Sequence, residues 1–70
     1  MISQLDIDSW FTYHTPQGNQ PQRYELIRQS ARSLALVIMD NVPESADKTA
    51  AMRKLREAVM TANAAIACNE

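Results

Sequence analysis

One cysteine among seventy residues excludes an internal disulfide. One cysteine with one histidine also cannot make a structural zinc site, which needs four nitrogen or sulfur ligands. A chain this short, without staples, is marginal as an isolated domain. No long apolar run exists; the longest is Leu34 to Met39, far short of a membrane span. No basic excess exists either: net charge is −1 and the pI about 5.7. That balance argues against a duplex-DNA binder, which needs a broad basic surface. No signal peptide is evident, and the lone Cys68 fits a reducing compartment, so a soluble cytoplasmic protein is expected. Glycine is nearly absent too, with Gly18 alone.

What is present is mostly helix former. Yet 46% of residues are hydrophobic, more than one small hairpin would bury. That excess suggests that other copies of the chain complete the core. Charge is uneven: residues 1–20 carry only Asp6 and Asp8, while 48–57 carries Lys48, Arg53, Lys54 and Arg56 against Glu57. A small anionic ligand therefore fits where a large polyanion does not.

The pattern predicts an all-α chain forming one domain over 1–70. A short helix falls within 1–10, around Ile2, Leu5 and Trp10, and a loop over 11–20. Asn19-Gln20-Pro21 reads as a helix start with proline in the first turn. The second helix is expected over about 21–42. Its stripe is Tyr24, Ile27, Ala31, Leu34, Ile38 and Val42, and Pro43 stops it. The third is expected over about 46–68, capped by Ser45, with a stripe of Ala51, Leu55, Ala58, Val59, Ala62 and Ile66. The connection is short, so the two long helices should run antiparallel. Leu26, Leu36, Val37, Met39, Met52, Met60 and Ala65 lie off both stripes. A helix apolar over so much of its circumference has more than one neighbour.

The residues that carry chemistry are few. Phe11-Thr12-Tyr13-His14-Thr15-Pro16 concentrates aromatic rings in a loop ahead of a helix bearing Arg23, Arg28 and Arg32. Tyr13 fits either a lid over the hairpin end or a stacking platform for a base, a contact worth roughly 1–3 kcal/mol. Arg28 and Arg32 face one way, as phosphate contacts would, or as arginines covering apolar surface would. Asn63 is a polar group on an otherwise apolar helix, suited to an interface hydrogen bond or to a base or ribose contact. Arg56 and Met60 lie near it by helical spacing. His14 has no nucleophile, carboxylate or second histidine at a recognisable spacing, so no enzyme is expected and no cofactor or metal is implied.

Three segments together resemble a known family: Trp10-Phe11-Thr12-Tyr13-His14-Thr15-Pro16, Tyr24-Glu25-Leu26-Ile27-Arg28, and the run from Leu55 to Ala67, LREAVMTANAAIA. They are similar to the phage anti-CBASS sponge family and the hairpin domain it shares with Thoeris anti-defence sponges. The resemblance covers most of the chain. It implies a helical-hairpin protomer that assembles into a homohexamer. It also implies sequestration, without cleavage, of cyclic nucleotide second messengers such as 3′,3′-cyclic GMP–AMP in the cytoplasm of the infected bacterium. By resemblance, Tyr13 stacks on a base, Arg28 meets the phosphates, and Thr12 and His14 flank them. Arg56, Met60 and Asn63 are the residues implied for a separate cyclic trinucleotide pocket. Arginine at 28 would grip phosphate as a fork, where a lysine would act as a point charge. The competing reading is a small oligomeric helical scaffold or regulator that binds a protein partner.

Overall fold

A computed structural model describes residues 1–70. It contains three helices: α1 over Gln4–Trp10, α2 over Gln20–Asn41 and α3 over Ala46–Asn69. Expectation and structure differ by one residue at most ends of the long helices, which is ordinary for helix boundaries. The first helix begins later than residue 1 because Ser3 caps it. The Asp6 amide donates to Ser3 Oγ at 3.2 Å, and the Ser3 amide donates back to Asp6 Oδ2 at 2.9 Å. This reciprocal box satisfies two otherwise orphaned donors.

Gly18 precedes α2 with φ of +55°, a conformation that other residues adopt at a cost. Pro21 sits in the first turn of α2, where a missing amide costs nothing. At the far end the helix stops before Pro43, with Val42 extended at ψ 131°. Ser45 then caps α3 by accepting from the Lys48 amide at 3.1 Å.

Contacts at both ends show that α2 and α3 run antiparallel. Arg23 at the start of α2 meets Glu70 just after α3. Lys48 at the start of α3 donates to the carbonyl of Met39 near the end of α2, at 2.9 Å. The seam between them is half-buried: Tyr24, Ile27, Ala31, Ala35 and Ile38 face Ala51, Leu55, Val59, Ala62 and Ile66. Leu34 and Ala58, expected in the seam, stand exposed, and Ala35 takes the place facing α3. The small side chain lets the helices approach there, and the leucine is left at the flank.

The chain has no buried hydrophobic residue. Its extents are 43 × 30 × 14 Å, one helix thick in the shortest direction. Its radius of gyration is 15.1 Å, against about 11 Å for a compact domain of this length. Leu26 and Val37 are 67% and 55% exposed. They share with Ser30 and Ser33 the face of α2 turned away from the seam, by i, i+4, i+7, i+11 spacing. No helix is long and apolar enough to cross a membrane.

The single buried residue is Lys48, 8% exposed. Its ammonium bridges the Met39 carbonyl and Glu44 Oε1, the latter at 2.6 Å. A cation there satisfies a C-terminal carbonyl and complements the end of the α2 dipole. Lys48→Met keeps most of the stem and removes the ammonium. It is expected to cost about 1–2 kcal/mol, seen as a lower urea midpoint. The exposed Lys54→Met should stay within about 0.5 kcal/mol of the parent.

Candidate functional site

The loop 11–19 is held against α1 by its own polar groups. The Thr12 hydroxyl donates to the Asp8 carbonyl, and His14 Nε2 lies 2.7 Å from the Ser9 carbonyl. A carbonyl only accepts, so His14 Nε2 is the donor. The Cys68 thiol sits 3.9 Å from the same carbonyl and 4.0 Å from His14 Nε2. With Nε2 protonated, the thiol finds no base at that nitrogen. The imidazole and the thiol thus tie loop, α1 and the end of α3 together.

These ties leave Tyr13 turned outward and 81% exposed. It lines a shallow, polar pocket of about 280 Å³ with His14, Thr15, Gln17, Gln20 and Glu70. A relay of hydrogen bonds fixes that pocket's wall. The Gln17 amide donates to Gln20 Oε1 at 3.0 Å, and Gln20 Nε2 donates to Glu70 Oε1 at 3.2 Å. Arg23 closes the relay with a two-pronged grip on Glu70, one arm at 2.8 Å. Arg23 is therefore engaged within the chain.

The Arg23 guanidinium, then Gln20, hold the Glu70 carboxyl below its ordinary value of 4.5. A depressed carboxylate contributes stability that is present above its unfolded value and lost as pH falls through the folded one. The pocket wall should therefore loosen only on acidification below about pH 4.5. Both partners are solvent-exposed, so the effect is modest. Amide exchange of Gln17 and Gln20, followed by NMR at pH 6 and pH 3.5, checks it. A smaller protection factor at the lower pH, each rate taken against its intrinsic value at that pH, is the expected result, with no such change in Glu70→Gln.

Arg28 stands elsewhere. Its side chain is 61% exposed and donates to Glu25 Oε2 at 2.6 Å. Gln29 donates to the other Glu25 oxygen at 2.8 Å. Gln29 first, and Arg28 second, hold the Glu25 carboxyl below its ordinary value. Arg28 lines a groove of about 400 Å³ between α2 and α3. Ala31, Ala35, Met52, Leu55 and Val59 give the groove an apolar floor, and Arg32, Arg56 and Met60 join Arg28 along it. A second hollow of about 330 Å³ groups Arg28 with Tyr24, Asn63, Ala64 and Ala67. There Asn63 Oδ1 is buried without a hydrogen-bond partner. An orphaned buried carbonyl is costly.

Within one chain the structure groups Tyr13 with His14, and Arg28 with Arg56, Met60 and Asn63. It does not bring Tyr13 and Arg28 into one cavity, although Ala67 lines a wall of each neighbouring hollow. Thr12 lines neither. The relay from Gln20 through Glu70 to Arg23 has no sequence signal, because it joins residues 50 positions apart. No three His, Cys, Asp or Glu residues come close enough together to hold a metal ion.

No curated protein and no solved structure matches this chain. The family model described as the Acb2/Tad1 hairpin domain matches residues 3–67, nearly the whole length. Two antiparallel helices preceded by a pinned aromatic loop fit a hairpin domain. The chain belongs to the Acb2/Tad1 hairpin family, that of the anti-CBASS and anti-Thoeris sponges.

Proposed function

We propose that this protein binds and sequesters cyclic dinucleotides such as 3′,3′-cyclic GMP–AMP, and cyclic trinucleotides in a second pocket, without cleaving them. In the cytoplasm of an infected bacterium this would keep the messenger from its effector and block CBASS signalling. The family membership supports a cyclic nucleotide sponge in broad terms. The observation that carries the finer reading is Tyr13: an exposed ring whose flanking residues, Thr12 and His14, both hydrogen-bond to backbone. A rigid, solvent-facing aromatic is ready to stack on a base with little ordering cost.

The separation of Tyr13 from Arg28 within the chain favours a site shared between copies. A cyclic dinucleotide has two bases and two phosphates. A two-fold pair of chains offers two Tyr13 rings and two Arg28 guanidiniums to match them. Arginine on phosphate is a charge-assisted, two-pronged contact. Thr12 and His14 hold the loop beside it. Exposed apolar side chains such as Leu26 and Val37 give the copies a reason to associate, and six copies per assembly is the state we propose. Arg56 and Met60 of the α2–α3 groove, with Asn63 of the neighbouring hollow, are the residues we assign to the second site.

A cyclic-nucleotide-activated effector supplied with limiting messenger tests the reading. Stoichiometric protein should silence the effector, and heating the mixture to denature the protein should restore active messenger. Silencing that heating does not reverse would mean the messenger had been destroyed, and the sponge reading would be wrong.

A further inference from the structure

Seven lysines and arginines are set among eight carboxylates in this chain. Arg23, Arg28 and Lys48 each pair with a carboxylate. Arg32, Arg53, Lys54 and Arg56 do not, and two of these, Arg32 and Arg56, line the same α2–α3 groove as Arg28. Arg32 follows Arg28 by one turn, where like charges repel. Arg56 reaches the groove from the opposite helix. No carboxylate lines the groove. Three cations beside an apolar floor of Leu55 and Val59 raise the potential there in a chain that is acidic overall.

We infer that Arg32 is a further phosphate-contacting residue, joining Arg28 and Arg56 in one three-arginine groove that takes the phosphodiesters of a cyclic oligonucleotide. The inference rests on the sponge reading and adds a residue to it. The groove's chemistry suits such a ligand: guanidinium forks for the phosphate oxygens, and an apolar floor for the faces of ribose or base. Arg28 shares its charge with Glu25 through one guanidinium nitrogen, whereas Arg32 pairs with no carboxylate. Arg32 and Arg56 therefore bring unpaired guanidiniums to the groove from its two sides. The competing account makes Arg32 a long stem covering apolar surface, with its charge incidental.

Arg32→Met separates the two, because it keeps an unbranched apolar stem and removes the guanidinium. Titration calorimetry is run with 3′,3′-cyclic GMP–AMP and with cyclic tri-adenylate, on the parent, Arg32→Met and Lys54→Ala. Light scattering on each variant reports the size of the assembly. Lys54 lies outside the groove and controls for loss of one positive charge. The expected result is an affinity lower by on the order of tenfold in Arg32→Met, for each probe the parent binds. The loss should shrink as salt rises, while Lys54→Ala and the assembly size stay as in the parent. Unchanged affinity in Arg32→Met overturns the inference and leaves the sponge reading standing. A smaller assembly in Arg32→Met also overturns it, since Arg32 would then serve an interface. A parent that binds neither probe removes the sponge reading and this inference with it.

Discussion

Tyr13→Ala combined with Arg28→Ala lowers the affinity for 3′,3′-cyclic GMP–AMP by a hundredfold or more and leaves the fold intact. The magnitude follows from two independent losses. A base stacked on an aromatic ring is worth roughly 1–3 kcal/mol. A charge-assisted hydrogen bond to phosphate is worth about 1.5–3 kcal/mol. Their sum spans about 2.5–6 kcal/mol, or roughly two to four powers of ten. Folding should not suffer, because neither side chain holds the chain together. The Tyr13 ring is exposed, and the loop bearing it is held by His14, Gln17 and Gln20. Arg28 makes one ion pair on the surface of its own helix, a contact worth at most about 1 kcal/mol. Calorimetry for binding and circular dichroism for helix content read the two halves of the prediction. The single variants should each lose about tenfold or more. A double variant that binds like the parent would move the ligand away from both residues.

Leu26→Glu combined with Val37→Glu breaks the assembly and with it most of the helix content. Both leucine and valine stand exposed on the face of α2 turned from the seam. Adding two carboxylates there puts charge where another copy would need an apolar surface. The chain has no buried hydrophobic residue to fall back on. A hairpin one helix thick lacks a second layer to close its core. Stability that depends on a partner also depends on concentration. The parent protein's melting temperature should therefore rise with protein concentration, and light scattering should report a defined oligomer. The variant should be a monomer of low helicity at the same concentrations. A parent that is a helical monomer at micromolar concentration, with a melting temperature independent of dilution, would contradict this.

Much of the fold was legible along the chain because its signals are local. Pro43 and Ser45 mark the turn between α2 and α3, and the stripe through Tyr24, Ile27 and Ala31 sets the inward face of α2. Leu34 shows the limit of that reasoning. By spacing it belongs to the stripe, and by packing Ala35 replaces it, because the approach of the two helices favours the smaller side chain. Lys48 shows another limit. In the sequence it is one of a basic cluster on 48–57, and in the structure it is the one buried residue, capping α2. Which member of a charge cluster turns inward depends on where the preceding helix ends.

The candidate site divides in the same way. Thr12, Tyr13 and His14 are neighbours in sequence, so their proximity needed no fold. The tie from His14 to Ser9 is still nearly local, five residues apart. Arg28, Arg56 and Asn63 come together only through the register of α2 against α3, which periodicity does not set. Arg23, one of three arginines on α2 in the sequence, is set apart from the other two only by Glu70, 47 positions away. The orphaned Asn63 oxygen is likewise invisible without coordinates, since the sequence does not show which polar atoms find a partner.

Binding without chemistry is the central claim. Purified protein titrated with 3′,3′-cyclic GMP–AMP in a calorimeter, then heated and assayed for ligand by mass spectrometry, tests it most directly. The account predicts tight, saturable binding and full recovery of intact messenger. Recovery of linear or hydrolysed nucleotide would make the protein an enzyme. No heat with this messenger, and none with cyclic tri-adenylate, would contradict the account and leave a helical scaffold.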